Sequence, residues 1–523
     1  MEDLNRRSDE ESSTLGRGTL RVMMLPWLAH GHVSPFLELA KRLSQDDRIG
    51  LVHFCSTPVN LGPVRDHLSK LKAAFPSSTI LSYRGDKIRP VELHLPPALP
   101  GLEQPHLHTT KHLPPALMPA LKHALDLAEP SFCRLLDALR PDLLIYDFLQ
   151  PWAPLAAQRR GIPAFHFMTS GAASTAFFCH YGSRTSAEAF PFPAIRLGSP
   201  DEDVQYAAML NKEANGLSDK DRLLRSLERS SGFIAIKSFR EIESEYIGYL
   251  SSLAGKEVVP VGPLVPDADP ADDDDSEGRR QLERVVGWLG KRGAGSVVFV
   301  SFGTEYFMTE EETEELACGL ELSGASFIWV VRFPPREDEE RDEARAAAAA
   351  ATARALPRGF VERVVAPAGR GEEEDEGGRG MVLEGWAPQR SILAHPSVGA
   401  FLTHCGWSSV MEGMRFGVPM VALPLHLDQP MNARLVVELG VGVACSLPPR
   451  PHEATFKRDD VARGIREVLL PATERGQGVA SKAKEMAEMM SRKGDAEVQS
   501  LVQKMAALCY RDKRPPVSRK DDT

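Results

Sequence analysis

Nowhere in its 523 residues does the chain hold about 18 apolar residues in a row, so no membrane span is expected. Cysteine is sparse: seven residues, an odd number, scattered and without a C-x-x-C pair. That argues against a disulfide framework or a zinc site and for a reducing compartment, taken as the cytoplasm. The opening MEDLNRRSDEESSTLGRG has no apolar segment and is not a secretory signal; residues 1–18 read as a disordered tail. No G-x-G-x-x-G follows the first strand-like segment, which excludes a dinucleotide oxidoreductase of the usual kind. A lysine-bearing G-x-x-x-x-G-K-[ST] loop is also missing. The net charge of −10 is less informative than it looks. Twelve acids sit in two runs, seven between Asp267 and Glu277 and five from Glu372 to Glu376, and the remainder is close to neutral. Nothing marks a nucleic-acid surface.

What is present is a long globular chain, 42% hydrophobic, for which two domains is the natural organisation. Buried strands are expected at 19–27, 50–56, 79–83, 142–146, 161–170, 233–238, 296–304, 326–332, 398–404 and 418–424, and at VGVACSL after the helix 432–440. Alternation with helical stretches points to doubly wound α/β domains. The domain boundaries follow composition: 19–262 as the first domain, 263–282 as an acidic linker, 283–475 as the second domain, with low-complexity insertions at 335–355 and 367–379. A helical segment at 476–511 and a tail at 512–523 close the chain.

The first strand is followed by LAHGHVSPFLELAKRL, where Ser34 reads as a helix N-cap and Pro35 as the first helical residue. His32 then sits in a loop at the positive end of that helix, which disfavours imidazolium, and a neutral imidazole is what a general base needs. His30 is an alternative, and a structural histidine is another. The strand 142–146 ends just before Asp147, so both groups meet one sheet edge. Asp147 either orients the imidazole or caps a helix. The Pro-, Leu- and His-rich segment 91–120 reads as a pocket-shaping loop with short helices, and its histidine spacings fit no metal motif. No metal and no cofactor are expected.

The most informative stretch runs from Trp386 to Gln429: WAPQRSILAHPSVGAFLTHCGWSSVMEGMRFGVPMVALPLHLDQ. It reads as strand, glycine turn, helix, strand, a nucleotide-binding half of an open α/β sheet with the turn placed to meet an anion. Ser409 as N-cap and Glu412 three residues on have capping-box spacing. His404, Ser408 and Ser409 lie at the turn, Trp386 can stack on a base, Gln389 and Glu412 can bond hydroxyls, and Asp428 and Gln429 end on the edge where a sugar would sit. Gly303 and Thr304 form a second turn able to face a phosphate.

This stretch closely resembles the defining box of the plant secondary-product UDP-glycosyltransferases, over all 44 positions. Ser408 stands where that family usually has Asn, and His-Cys-Gly-Trp-Ser-Ser resembles the subgroup that adds sugars to existing glycosides. The resemblance implies two Rossmann-like domains facing across a cleft, the GT-B type, with the final helical segment crossing back to the first domain. It implies His32, not His30, as base and Asp147 as its partner. UDP-sugar contacts are implied at Thr304, Trp386, Ala387, Gln389, His404, Gly406, Trp407, Ser408, Ser409, Glu412, Asp428 and Gln429, and a sugar contact at Thr169. Gln429 points to UDP-glucose as co-substrate. The acceptor is expected to be a small lipophilic flavonoid or terpenoid, or the sugar of its glycoside, bound in part by loops at 183–215. The enzyme is taken as a monomer. A sugar-nucleotide epimerase and a non-catalytic nucleotide-sugar-binding module are the competing readings.

Overall fold

Successive residues of the first strand go to opposite sides of a sheet: Val22 and Met24 join one buried cluster, Met23 and Leu25 another. A strand buried on both faces needs helices on both, which is why it reads as a continuous apolar run. The structure, a computed structural model, describes residues 19–74, 87–97, 99–183, 188–266, 276–304, 306–332, 356–364, 378–385, 387–445, 456–470, 474–493 and 496–511. The expected strand 79–83, the acidic linker run, both insertions almost entirely, both tails and Trp386 lie outside these.

The strands, in chain order, are β1 Leu20–Leu25, β2 Ile49–Ser56, β3 Ile88–Glu92, β4 Leu143–Tyr146, β5 Ala164–Met168, β6 Glu213–Ala214, β7 Leu217–Ser218, β8 Phe233–Ile236, β9 Glu257–Pro260, β10 Val297–Ser301, β11 Ser326–Val331, β12 Gly380–Glu384, β13 Val398–Thr403, β14 Met420–Ala422 and β15 Gly442–Ala444. One parallel sheet has the order β3-β2-β1-β4-β5-β8-β9, a second the order β12-β11-β10-β13-β14-β15, and β6 and β7 form a short antiparallel pair. In the two parallel sheets the three strands that periodicity does not reveal, β3, β9 and β12, are all sheet edges. Their sequences, IRPVE, EVVP and GMVLE, carry charge or proline that an edge tolerates.

The chain divides into two compact units. One comprises the chain to Ala172, Leu210–Leu264 and the residues from 495 on; the other comprises Ala173–Met209 and Val265–Gly494. Residues 173–209, read from sequence as part of the first domain, therefore group with the second unit. The segment 476–511 is not one element: Glu474–Lys493 belongs to the second unit and Ala496–Arg511 to the first. Val498, Leu501, Val502 and Met505 of the latter helix join the cluster that holds Phe36 and Leu39 of the helix His30–Ser44. In the second unit Val298 and Val300 pack with Leu316, Leu320, Val461 and Ile465, while Phe299 on the other face stacks on Phe401 at 5.3 Å. Each such fully buried aliphatic side chain contributes about 1.5–3 kcal/mol. All seven cysteines are thiols, none of them in a disulfide. Among the described residues no helix is long and apolar enough to cross a membrane.

Candidate active site

In the first sheet the strand order reverses between β1 and β4, which pair directly, Leu25 opposite Tyr146. Ligands of open α/β sheets bind beyond the carboxyl ends of the strands at such a point. His32, Asp147 and Thr169 all emerge there. The helix starts at His30 with Ala29 as a cap that makes no side-chain bond, so Ser34 is not its N-cap and Pro35 lies inside it. The N–H groups of His32 and Val33 already bond the Ala29 carbonyl, which closes the first turn before Ser34 is reached. His32 thus occupies the first helical turn rather than a loop, still at the positive end.

His32 Nδ1 lies 2.8 Å from Asp147 Oδ2 and 3.0 Å from Thr169 Oγ1. Asp147 is 1% exposed and caps no helix; Oδ2 also accepts the Trp27 N–H at 3.1 Å and Oδ1 the Phe148 N–H at 2.7 Å. Burial by itself would raise its pKa. The His32 charge and hydrogen bond, the nearby His166 and the Trp27 N–H outweigh burial and hold the carboxyl below its ordinary value. An ionised carboxylate only accepts, so the shared proton sits on Nδ1 and a neutral His32 keeps its lone pair on Nε2. His30 is exposed, and it is His32 that reaches the carboxylate. Thr169, expected on the sugar, has its hydroxyl beside the same imidazole nitrogen.

The second sheet reverses between β10 and β13, which pair with Ser301 opposite Thr403. Their terminal turns, Phe302–Thr304 and His404–Gly406, are neighbours. A Cβ at Gly303 would fall 2.9 Å from His404 Nε2, and one at Gly406 2.6 Å from the same atom. The ring therefore fits only because both turns are glycine. Burial first, then the charge of His426, push the His404 pKa down to about 3, against the opposing effect of the Ser301 carbonyl. His404 is neutral at physiological pH, and its buried Nδ1 has no partner among the described residues. Cys405 follows at φ 63, a left-handed conformation costing a non-glycine residue about 1–2 kcal/mol. It is held by its N–H on Thr403 Oγ1 at 3.2 Å and by Asn432 Nδ2 on its carbonyl at 3.0 Å.

The capping box expected at Ser409 and Glu412 is absent. The helix begins at Trp407, with Gly406 as N-cap and no side-chain cap bond, because the backbone turns directly past the His404 ring at Gly406. Ser409 is buried in the first turn, and Ser408 and Thr304 are half-buried. Glu412 Oε2 accepts from Gln389 Nε2 at 2.7 Å, and that nitrogen stands 3.5 Å from Ser409 Oγ, so two hydroxyl-binding candidates are oriented by each other. Ala387 accepts the Gln389 N–H at 2.8 Å. Trp407 is 4% exposed, so its ring is core rather than a stacking surface.

The loop after β14 carries Asp428 and Gln429. Gln429 Oε1 accepts the N–H groups of Leu425 and His426 at 2.9 and 3.0 Å, which consumes its carbonyl and leaves the amide N–H₂ as the group able to reach a ligand. Asp428 Oδ2 accepts from Asn432 Nδ2 at 2.9 Å. Asn432, fully buried, links the Asp428–Gln429 loop to the Cys405 turn, and the sequence pattern does not single it out. Its one legible signal is the i, i+4 spacing from Asp428. Among the described residues no group of three or more His, Cys, Asp or Glu is placed to hold a metal.

Residues 276–469 match the family model for UDP-glucoronosyl and UDP-glucosyl transferase. UDP-glucosyltransferase 29 of Panax ginseng is 40% identical over 498 residues, 95% of this chain and 98% of the relative. The beta-D-glucosyl crocetin beta-1,6-glucosyltransferase of Gardenia jasminoides is 42% identical, covering 86% of this chain and 90% of its own. In fold, the chain is similar to Medicago truncatula UGT71G1 complexed with UDP-glucose, with a TM-score of 0.69 at 22% identity over 97% of this chain and 100% of that one. Full-length identity at this level, on the GT-B fold expected from the sequence, shows that the chain belongs to the plant UDP-glycosyltransferase family and is a glycosyltransferase.

Proposed function

We propose that the enzyme transfers glucose from UDP-glucose, with inversion, to a hydroxyl of a small lipophilic terpenoid or flavonoid, the sugar hydroxyl of its glycoside being the favoured acceptor. The observation that supports the chemistry is the 2.8 Å contact of His32 Nδ1 with an ionised Asp147, which leaves Nε2 as the basic atom. Nε2 takes the proton of the acceptor hydroxyl as that oxygen attacks the anomeric carbon. The bond from that carbon to the diphosphate oxygen breaks, and UDP leaves with the electron pair. Asp147 stabilises the imidazolium formed. On the donor side His404, Thr304, Ser408 and the first turn of the helix Trp407–Phe416 take the diphosphate, Gln389 and Glu412 the ribose, Trp386 the base, and Asp428 with the Gln429 amide the hexose.

No single group suffices. General-base help is worth about 10²–10⁴-fold and an exposed helix end about 0.3–1 kcal/mol, against the roughly 8 kcal/mol or more that enzymes supply. Holding donor and acceptor together supplies much of the rest. A glycoside acceptor is supported by the Gardenia relative, whose name specifies a glucosyl crocetin substrate. Seven cysteines kept as thiols fit a reducing compartment such as the cytoplasm, and the enzyme is taken to act there as a monomer, which light scattering on the purified chain checks.

The test is a panel of flavonoid and terpenoid aglycones beside their monoglucosides, incubated with UDP-glucose and analysed for added hexose by mass. His32→Ala is expected to abolish transfer while donor affinity stays within about twofold of wild type. Retained turnover in that variant refutes the base assignment. Release of UDP at full rate with no acceptor present favours the epimerase reading.

A further inference from the structure

We infer that Tyr206, on the helix Pro200–Ala207, is a positioning residue for the donor hexose: its hydroxyl clamps the Leu427 backbone and so sets the loop that presents Asp428 and Gln429. The inference rests on the proposed sugar-binding role of those two residues. From within, the loop is tied at nearly every position: Gln429 holds the N–H groups of Leu425 and His426, and Asn432 holds Asp428. Leu427 is the exception. Its side chain is 43% exposed, so packing does little to fix it, yet its backbone is left-handed at φ 56. Such a conformation persists only where the surroundings over-determine it.

The tie comes from 221 residues away. Tyr206 Oη donates to the Leu427 carbonyl at 2.7 Å. The tyrosine is 4% exposed and stacks on Phe178 at 6.4 Å. Burial, and then the charge of Asp428, push its phenol well above the ordinary range, so it remains a donor. The segment carrying it is itself rigid. Ser199 and Glu202 form a capping box, and buried Asp203 accepts the Leu197 N–H at 2.7 Å and the Tyr181 hydroxyl at 3.1 Å. A second tie runs back from the helix Gln429–Glu438, whose Arg434 donates to the Leu197 carbonyl at 2.8 Å. Tyr206 thus supports a backbone conformation that leucine does not favour, at the residue before the two sugar-side groups.

The full chain and its Tyr206→Phe, Leu427→Gly and doubly substituted variants are compared with UDP-glucose, UDP-galactose and UDP alone. Tyr206→Phe is expected to raise KM for UDP-glucose about fivefold, the worth of one buried hydrogen bond, and to lower the glucose-over-galactose preference. UDP, which lacks the hexose, should inhibit with a constant within about twofold of wild type. Leu427→Gly should recover part of the loss in the Tyr206→Phe background, because glycine adopts positive φ without the steric cost. Arg434→Gln, which cuts the other tie, carries the same expectation and serves if Tyr206→Phe does not fold. An unchanged KM and preference in a folded variant, or equal weakening of UDP and UDP-glucose, overturns the assignment of Tyr206 alone. A wild-type protein that UDP-glucose does not saturate overturns the functional reading and this inference with it.

Discussion

Replacing Asp147 by asparagine changes one oxygen for an amide and removes one charge. The carboxylate accepts three hydrogen bonds, from His32 Nδ1 and Trp27 N–H on Oδ2 and from Phe148 N–H on Oδ1. An amide has one accepting and one donating end, so whichever way the new side chain turns, its N–H₂ faces a donor. The larger effect is on the reaction. In the proposed reaction His32 takes the acceptor proton and becomes an imidazolium 2.8 Å from the buried carboxylate. Two unit charges about 4 Å apart attract by roughly 4 kcal/mol at an effective dielectric near 20. Part of that attraction already exists with the neutral ring, so a net loss of about 3–4 kcal/mol is expected, or a fall in kcat of roughly 10²–10³-fold. The same exchange in a Ser-His-Asp triad costs about 10⁴. The assay is initial-rate hexose transfer followed by mass detection, with UDP inhibition measured alongside. KM for UDP-glucose and the UDP constant should stay within about twofold. A kcat within tenfold of wild type would refute the orienting role. The pH dependence carries a sign as well. The Asp147 pKa is depressed below 3.8, so its stabilisation is present above that value and lost as pH falls through the lower folded one. Asp147→Asn should flatten stability in that acid window alone.

Two histidines, His53 and His166, are 3% and 1% exposed, and burial lowers each pKa from 6.5 to about 4. The unfolded chain takes up their protons first, so stability is full above pH 6.5 and each ring removes about 1.4 kcal/mol per unit as pH falls toward 4. Urea unfolding at pH 7, 6 and 5 measures the slope, and a flat profile contradicts it. Gly406→Ala places a methyl 2.6 Å from His404 Nε2, which must displace the ring; calorimetric UDP affinity should drop by about tenfold or more, and unaltered affinity would detach His404 from the diphosphate. Arg222, wholly buried, holds Asp126 with two bonds of 2.9 and 2.6 Å and also donates to the Leu149 and Ala214 carbonyls. Arg222→Met strands those acceptors and should cost about 3–5 kcal/mol in chemical denaturation; a loss under about 1 kcal/mol would make the pair no stronger than an exposed one.

Where the sequence reading and the fold part company, the causes are local. The strands recognised in advance are mostly interior ones, whose two buried faces require unbroken apolar runs. The edges β3, β9 and β12 bury less and carry Arg, Glu or Pro, so the pattern that identifies a strand is diluted there. Helix starts shifted for a different reason. Ser34 and Ser409 have the chemistry of caps, but the chain had already turned, at Ala29 after the buried Trp27 and Leu28, and at Gly406 beside His404. Propensity orders the residues that could begin a helix; the packed strand end decides where it does.

The chain's own order of residues determined the class of enzyme. The box from Trp386 to Gln429, the glycines at 303 and 406 and the strand ends before His32 and Asp147 are arrangements of neighbours, legible without coordinates. The tertiary structure alone decided which atom meets which. His32 finds Asp147 115 positions away and Thr169 137 away, and the Gln429 carbonyl turns inward to its own loop. Tyr206 reaches Leu427 across 221. Hydrogen-bond partners are chosen at about 3 Å, and separations of that size between distant residues exist only after the sheets have closed.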